Sequence, residues 1–119
     1  LILVVDDEQL IRSTTATALE TNGYHAVTAS DGAEALGTYM EHRDSVKAVI
    51  LDVLMPIMDG QTTMRALKKI NPAIKVIAMS GLAEDGKYRN MVENANAFIP
   101  KPFTAERLLR ALSDVLSKR

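Results

Sequence analysis

The chain has 119 residues, 47% of them hydrophobic and 24% charged, and its formal net charge is −1. That balance describes one ordinary globular domain with its own core, and it excludes both a disordered tail and a strongly basic nucleic-acid surface. With no cysteine, no apolar run of membrane-spanning length and no visible signal peptide, the chain is not a disulfide scaffold, a thiol enzyme, a Cys-ligated zinc protein or a membrane-inserted one.

Leu1 to Val5 (LILVV) is a continuous apolar run, as expected of a strand covered on both faces. Gln9 to Thr21 has helical periodicity, with Leu10, Ile11, Ala18 and Leu19 on one face and Asn22-Gly23 as its stop. His25 to Ala29 predicts a second strand. Asp31 opens a second helix, with Glu34 three residues on as in a capping box and Ala35, Leu36, Tyr39 and Met40 on its buried face. Val46 to Leu51 predicts strand three. Gln61 to Ile70 predicts helix three, with Met64 and Leu67 inward and Asn71-Pro72 after it. Ile74 to Met79 predicts strand four, Glu84 to Glu93 a weaker helix that contains Gly86, and Asn96 to Ile99 a short fifth strand. Thr104 is placed to cap the last helix, whose stripe is Leu108, Leu109, Leu112, Val115 and Leu116, and Phe103 to staple onto Leu108.

Alternating strands and helices predict an α/β fold, a parallel sheet with helices on both faces. Right-handed crossovers bring the C-terminal end of every strand to one edge, where such sheets bind ligands. Residues 1–119 read as one domain. The start at Leu1, directly in a strand-like run, suggests a piece trimmed from a longer polypeptide, and the absence of cysteine fits a cytoplasmic one.

The polar residues just past the strands are Asp6 and Asp7, Asp52, Ser80 with Gly81, and Lys101 before Pro102. Asp52 interrupts the apolar run AVILDVLMPIMDG, where an uncompensated carboxylate is costly. Carboxylates gathered at one crevice repel unless a cation or a proton relieves them. Oxygen-only ligands favour Mg²⁺ or a similar hard ion such as Mn²⁺. A hydroxyl and a compact ammonium beside them suit an incoming phosphoryl group, and an aspartate can become an acyl phosphate.

Four segments occur in order: VVDDE at Val4 to Glu8, LDVLMPIMDG at Leu51 to Gly60, MSG at Met79 to Gly81 and FIPKPF at Phe98 to Phe103. Together they resemble the receiver domain of response regulators in two-component signalling, over essentially the whole chain. The MSG and KPF segments lean toward receivers of hybrid histidine kinases. The resemblance implies a flavodoxin-like, doubly wound (βα)5 fold with strand order 2-1-3-4-5. It implies that Asp52 accepts a phosphoryl group from a phosphohistidine of a histidine kinase or histidine phosphotransfer domain. Asp7 matches a direct metal ligand, Asp6 one acting through water, and the Leu54 carbonyl a backbone ligand, with Asp52 completing the set. Lys101 and Ser80 match the groups that contact the phosphoryl oxygens, and Phe98 matches an aromatic switch. Lys101-Pro102 is expected to be cis.

Gly81 matches a position that leaves access to Asp52. Leu54 and Leu82 stand two residues after Asp52 and Ser80, where side chains tune hydrolysis in the family, and neither can orient a water. Slow self-dephosphorylation is therefore expected. Asn94-Ala95 replaces the family's frequent Gly-Ala. The implied output face is formed by the helix at Glu84 to Glu93, the fifth strand and the last helix. The output partner is unassigned, a phosphorylation-dependent dimer is allowed for, and neither nucleic-acid binding nor turnover of an external substrate is expected.

Blander roles remain for several of these groups. Asp52 could end a strand in a turn, Asp7 could also cap the first helix, and Asp59-Gly60 reads as turn geometry. The six methionines read as core filler, Ser13 to Thr17 as a solvated face, and His25 and His42 lack ligand-like company. Two other classes compete: a Mg²⁺-dependent phosphatase with an aspartyl nucleophile, and a pseudo-receiver that only binds partners. Such phosphatases usually carry D-x-D on the first strand, whereas Asp6 and Asp7 are adjacent and Asp52 lies on the third.

Overall fold

The computed structural model describes residues 1–53, 60–80, 95–101 and 103–117, with only the backbone of residues 61 and 80. Its elements are β1 (Ile2–Val5), α1 (Gln9–Thr21), β2 (Ala26–Ala29), α2 (Gly32–Glu41), β3 (Ala48–Asp52), α3 (Gly60–Ile70), β4 (Val76–Ser80), β5 (Ala97–Pro100) and a C-terminal helix (Ala105–Ser117). The sheet is five-stranded, in the order β2-β1-β3-β4-β5, and every pairing is parallel. This is the doubly wound arrangement expected from the sequence. The helix expected at Glu84 to Glu93 lies outside the described residues. Among the described residues, no helix is long and apolar enough to cross a membrane.

Strand alternation explains why the core divides in two. Leu3, Val5, Val49, Leu51, Val76 and Ala78 turn to one face and pack with Ala35 and Tyr39 of α2 and Met64 and Leu67 of α3. Ile2, Val4, Ala48, Ile50, Ile77 and Met79 turn to the other face and meet Leu19 of α1 and Leu108, Leu112 and Val115 of the C-terminal helix. Both faces of β1, β3 and β4 are therefore apolar, which is why these strands read as unbroken hydrophobic runs.

The helix ends show how the sequence punctuates the chain. After α1, Gly23 adopts φ 92°, its N–H donates to the Glu20 carbonyl, and the Tyr24 N–H donates to Leu19. These are the two bonds of a Schellman ending. Asp31 caps α2 by accepting from the Glu34 N–H at 2.8 Å. Glu34 reaches back to Ser30, to its hydroxyl at 2.7 Å and its N–H at 3.3 Å, rather than to Asp31 as a strict capping box requires. Thr104 accepts from the Arg107 N–H at 3.1 Å, and Phe103 packs against the core cluster that contains Leu108.

Some expectations about burial fail. Leu10 is 78% exposed, and Thr15 is buried in its place. The 3.6-residue period aligns Ile11, Thr15, Ala18 and Leu19, and Leu10 lies about 100° away from that stripe. Thr15 is thus the exception in a patch otherwise expected to be solvated. Met40 is 51% exposed, one turn beyond half-buried Leu36 on the rim of α2, so it is not core filler, whereas Met64 and Met79 are. Strands three and four lie one to two residues later than expected. Lys47 instead donates to the Leu1 carbonyl, and Ile74 to the Asn71 carbonyl in the turn after α3.

Thr104→Ala removes a cap bond and is expected to destabilise the domain by about 1 kcal/mol. Urea unfolding checks this. An unchanged midpoint with an unchanged slope would contradict it.

Candidate functional site

The sheet register aligns the strand ends. Val5 pairs with Leu51, which places Asp6 beside Asp52, the last residue of β3. Asp52 pairs with Met79, and Ser80 with Pro100, the residue before Lys101. Asp6, Asp52, the backbone of Ser80 and Lys101 therefore share one edge.

Lys101 joins them. Its Nζ donates to Asp6 Oδ2 at 2.9 Å, lies 3.4 Å from Asp52 Oδ2, and lies 3.8 Å from Glu8 Oε1. The Lys101 side chain is only 16% exposed, and both aspartates are buried. Burial lowers the lysine's proton affinity. The hydrogen bond it donates to Asp6 and the charges of Asp52 and Asp6 outweigh that burial and leave its pKa above the ordinary 10.5. The ammonium is thus firmly charged and partly neutralises the carboxylates around it.

Asp6 is held at every polar atom. Its N–H donates to the Ala29 carbonyl at 3.1 Å, and its own carbonyl accepts from Arg12 Nη1 at 2.8 Å. Its Oδ1 accepts from the Glu8 N–H at 2.9 Å while Oδ2 accepts from Lys101. Asp6, Asp7 and Glu8 each offer a carboxylate oxygen within 4.8 Å of the others. Such a group of hard oxygen donors is of the kind that ligates a divalent cation.

The sequence-derived residues fare differently. Asp6, Asp52 and Lys101 come together as expected, while Asp7 groups with Asp6 and Glu8 rather than with Asp52. The cap position of α1 is Glu8, which makes no side-chain cap bond, so Asp7 does not cap that helix. Its surroundings leave it exposed at the crevice instead. Phe98 on β5 is half-buried against the core that includes Val76 and Ala78. The side chain of Ser80, with Leu54, Asp59, Gly81, Leu82, Asn94 and Pro102, lies outside the described residues. Glu8 and Arg12 were missed. Glu8 was legible as a third acid in a row. Arg12 carried no motif, only its place one helical turn after Glu8, from which a side chain tilts back over the helix start.

The family model for the response regulator receiver domain matches residues 2–113. The chain is 40% identical over 119 residues to sensor kinase CckA of Brucella abortus, covering 99% of this chain and 13% of that protein. It is 35% identical over 118 residues to the chemotaxis protein CheY of Bacillus subtilis, covering 98% of this chain and 97% of the other. The solved receiver domain of NtrX from Brucella abortus superimposes with a TM-score of 0.91 at 31% identity, covering both chains fully (100% and 100%). The chain belongs to the response regulator receiver family and is a receiver domain of two-component signalling. Receiver domains work with histidine kinases or phosphotransfer partners and with output domains.

Lys101→Met leaves the buried Asp6 without its cation and is expected to cost about 2–4 kcal/mol at neutral pH. Because the folded-state pKa of Lys101 is raised, its contribution is complete below the ordinary value of 10.5 and fades as pH climbs through the folded value. Urea unfolding should show a gap between parent and variant that is steady from pH 7 to 10 and narrows above that. A gap that widens at alkaline pH would contradict the assignment.

Proposed function

We propose that this domain is a phosphorylation switch whose acceptor is Asp52, charged from the phosphohistidine of a histidine kinase or a histidine phosphotransfer domain. The observation that carries the reading is the Lys101 ammonium between Asp6 and Asp52, at the sheet edge of a receiver fold. A carboxylate oxygen of Asp52 forms the new P–O bond as the donor's P–N bond breaks. The electron pair of that bond stays on the departing imidazole. Such a transfer asks the protein mainly for positioning and charge neutralisation.

The donor set fits Mg²⁺, or Mn²⁺ in its place, because it offers several carboxylate oxygens and no nitrogen or sulfur. Asp6, Asp7 and Asp52, with the carbonyl of Leu54, would hold the ion. When bound, it offsets the charge of the carboxylates and of the phosphoryl oxygens. Lys101 keeps one bond to Asp6 and turns its remaining N–H donors to the phosphoryl group. Ser80 donates its hydroxyl to another phosphoryl oxygen. Phe98 follows that hydroxyl inward and carries the change to the face formed by residues 84–93, β5 and the C-terminal helix. Coupling of about 1–3 kcal/mol is enough to shift a balanced pair of conformations. Leu54 and Leu82 carry no polar group to orient an attacking water, so hydrolysis of the acyl phosphate is slow. The setting is the cytoplasm, with the output domain or target supplied by the rest of the pathway.

Incubation with acetyl phosphate and Mg²⁺, followed by intact-protein mass spectrometry, tests this reading. The parent should gain the mass of one phosphoryl group, and Asp52→Asn should not. A parent that gains nothing, or a variant that gains as much, would contradict it.

A further inference from the structure

Arg12 donates from Nη1 to the main-chain carbonyl of Asp6, 2.8 Å away and partly buried, while its own N–H is bound to the Glu8 carbonyl at 3.0 Å. That carbonyl belongs to the planar peptide whose N–H is Asp7's, so fixing the oxygen fixes the plane from which Asp7 departs. Asp6 needs little help from Arg12, because its N–H and both carboxylate oxygens are already bound. Asp7 is in the opposite position. It is exposed, and among the described residues its carboxylate has no hydrogen bond or ion pair. The direction of Asp7 is thus set by its backbone, which two side-chain bonds restrain: the Asp6 Oδ1 bond to the Glu8 N–H, which spans Asp7, and the Arg12 bond, which fixes the peptide plane itself.

We propose that Arg12 is a positioning residue: by pinning the Asp6–Asp7 peptide it aims the Asp7 carboxylate at the divalent cation. The inference rests on the reading of Asp6 and Asp7 as cation ligands. It goes beyond that reading by assigning a function to a residue that touches neither the ion nor the phosphoryl group.

Electrostatics alone predicts the opposite outcome. A guanidinium near a divalent site repels the cation, so removing it as a mere charge should tighten binding. Removing it as the support of a ligand should weaken binding, as outer partners of metal ligands typically do. Arg12→Met keeps much of the apolar stem and abolishes the bond. Arg12→Lys keeps the charge and one donor but loses the planar fork and part of the reach.

Titration calorimetry with Mg²⁺ alone, on the unphosphorylated protein, separates these outcomes, and circular dichroism of the metal-free variants checks that they fold. Arg12→Met is expected to bind Mg²⁺ about tenfold more weakly than the parent, and Arg12→Lys to lie between the two. Variants that bind as tightly as the parent, or more tightly, would overturn the inference. Should Arg12→Met not fold, Arg12→Lys alone decides, with parental affinity as the contrary result. A parent that binds no Mg²⁺ would instead overturn the cation-site reading on which the inference stands.

Discussion

A single buried ammonium holds the functional edge of this domain together. Lys101 lies 2.9 Å from Asp6 and 3.4 Å from Asp52, both of which are removed from solvent. Two carboxylates so placed would otherwise repel each other across the strand ends. The lysine makes the crowding tolerable without making it comfortable. Asp7 and Glu8 add further negative charge at the rim, and among the described residues Lys101 is the cation that ion-pairs with Asp6, Asp52 and Glu8. The resting site therefore has an electrostatic appetite for a second cation. On the proposed reading, the carboxylate form of Asp52 is the one that attacks phosphorus.

The fold makes that arrangement possible by register rather than by loops. Apolar strands β1, β3 and β4 stack their pairs so that the residue after Val5, the last of β3 and the one after β5 arrive at the same height. The two-faced core fixes this register, because a one-residue slip would turn the inward side chains of each strand to the wrong layer of helices. Burial in the core and acidity at the edge are therefore one design. The sequence spends its hydrophobic residues along the strands so that the polar ones at their ends can be placed to within a hydrogen bond.

Much of this was legible in the sequence. Unbroken apolar runs mark strands covered on both faces, and Thr104, Asp31 and Gly23 announce their helix ends by residue type alone. Asp6, Asp52 and Lys101 could be gathered by topology because each follows a strand. Leu10 and Met40 misled because hydropathy says nothing about which neighbour a helix flank meets: Leu10 lies about 100° from the buried stripe of α1 and Met40 on the rim of α2, and among the described residues no element covers either. Glu34 bonds Ser30 instead of Asp31, a choice between adjacent N–H groups that residue type cannot decide. Arg12 was invisible for a related reason. Its partner is a backbone carbonyl, and a carbonyl leaves no trace in a sequence.

The central claim is that the carboxylate gripped by Lys101 at the end of β3 is the one that receives the phosphoryl group. Reduction of the phosphorylated protein with borohydride, followed by peptide mapping, tests it at the level of the residue, because an acyl phosphate is reduced to an alcohol while a free carboxylate survives. Conversion of Asp52 to homoserine is expected, with Asp6 and Asp7 unchanged. Conversion at Asp6 or Asp7, or a phosphoryl group mapped to any side chain other than Asp52, would contradict it.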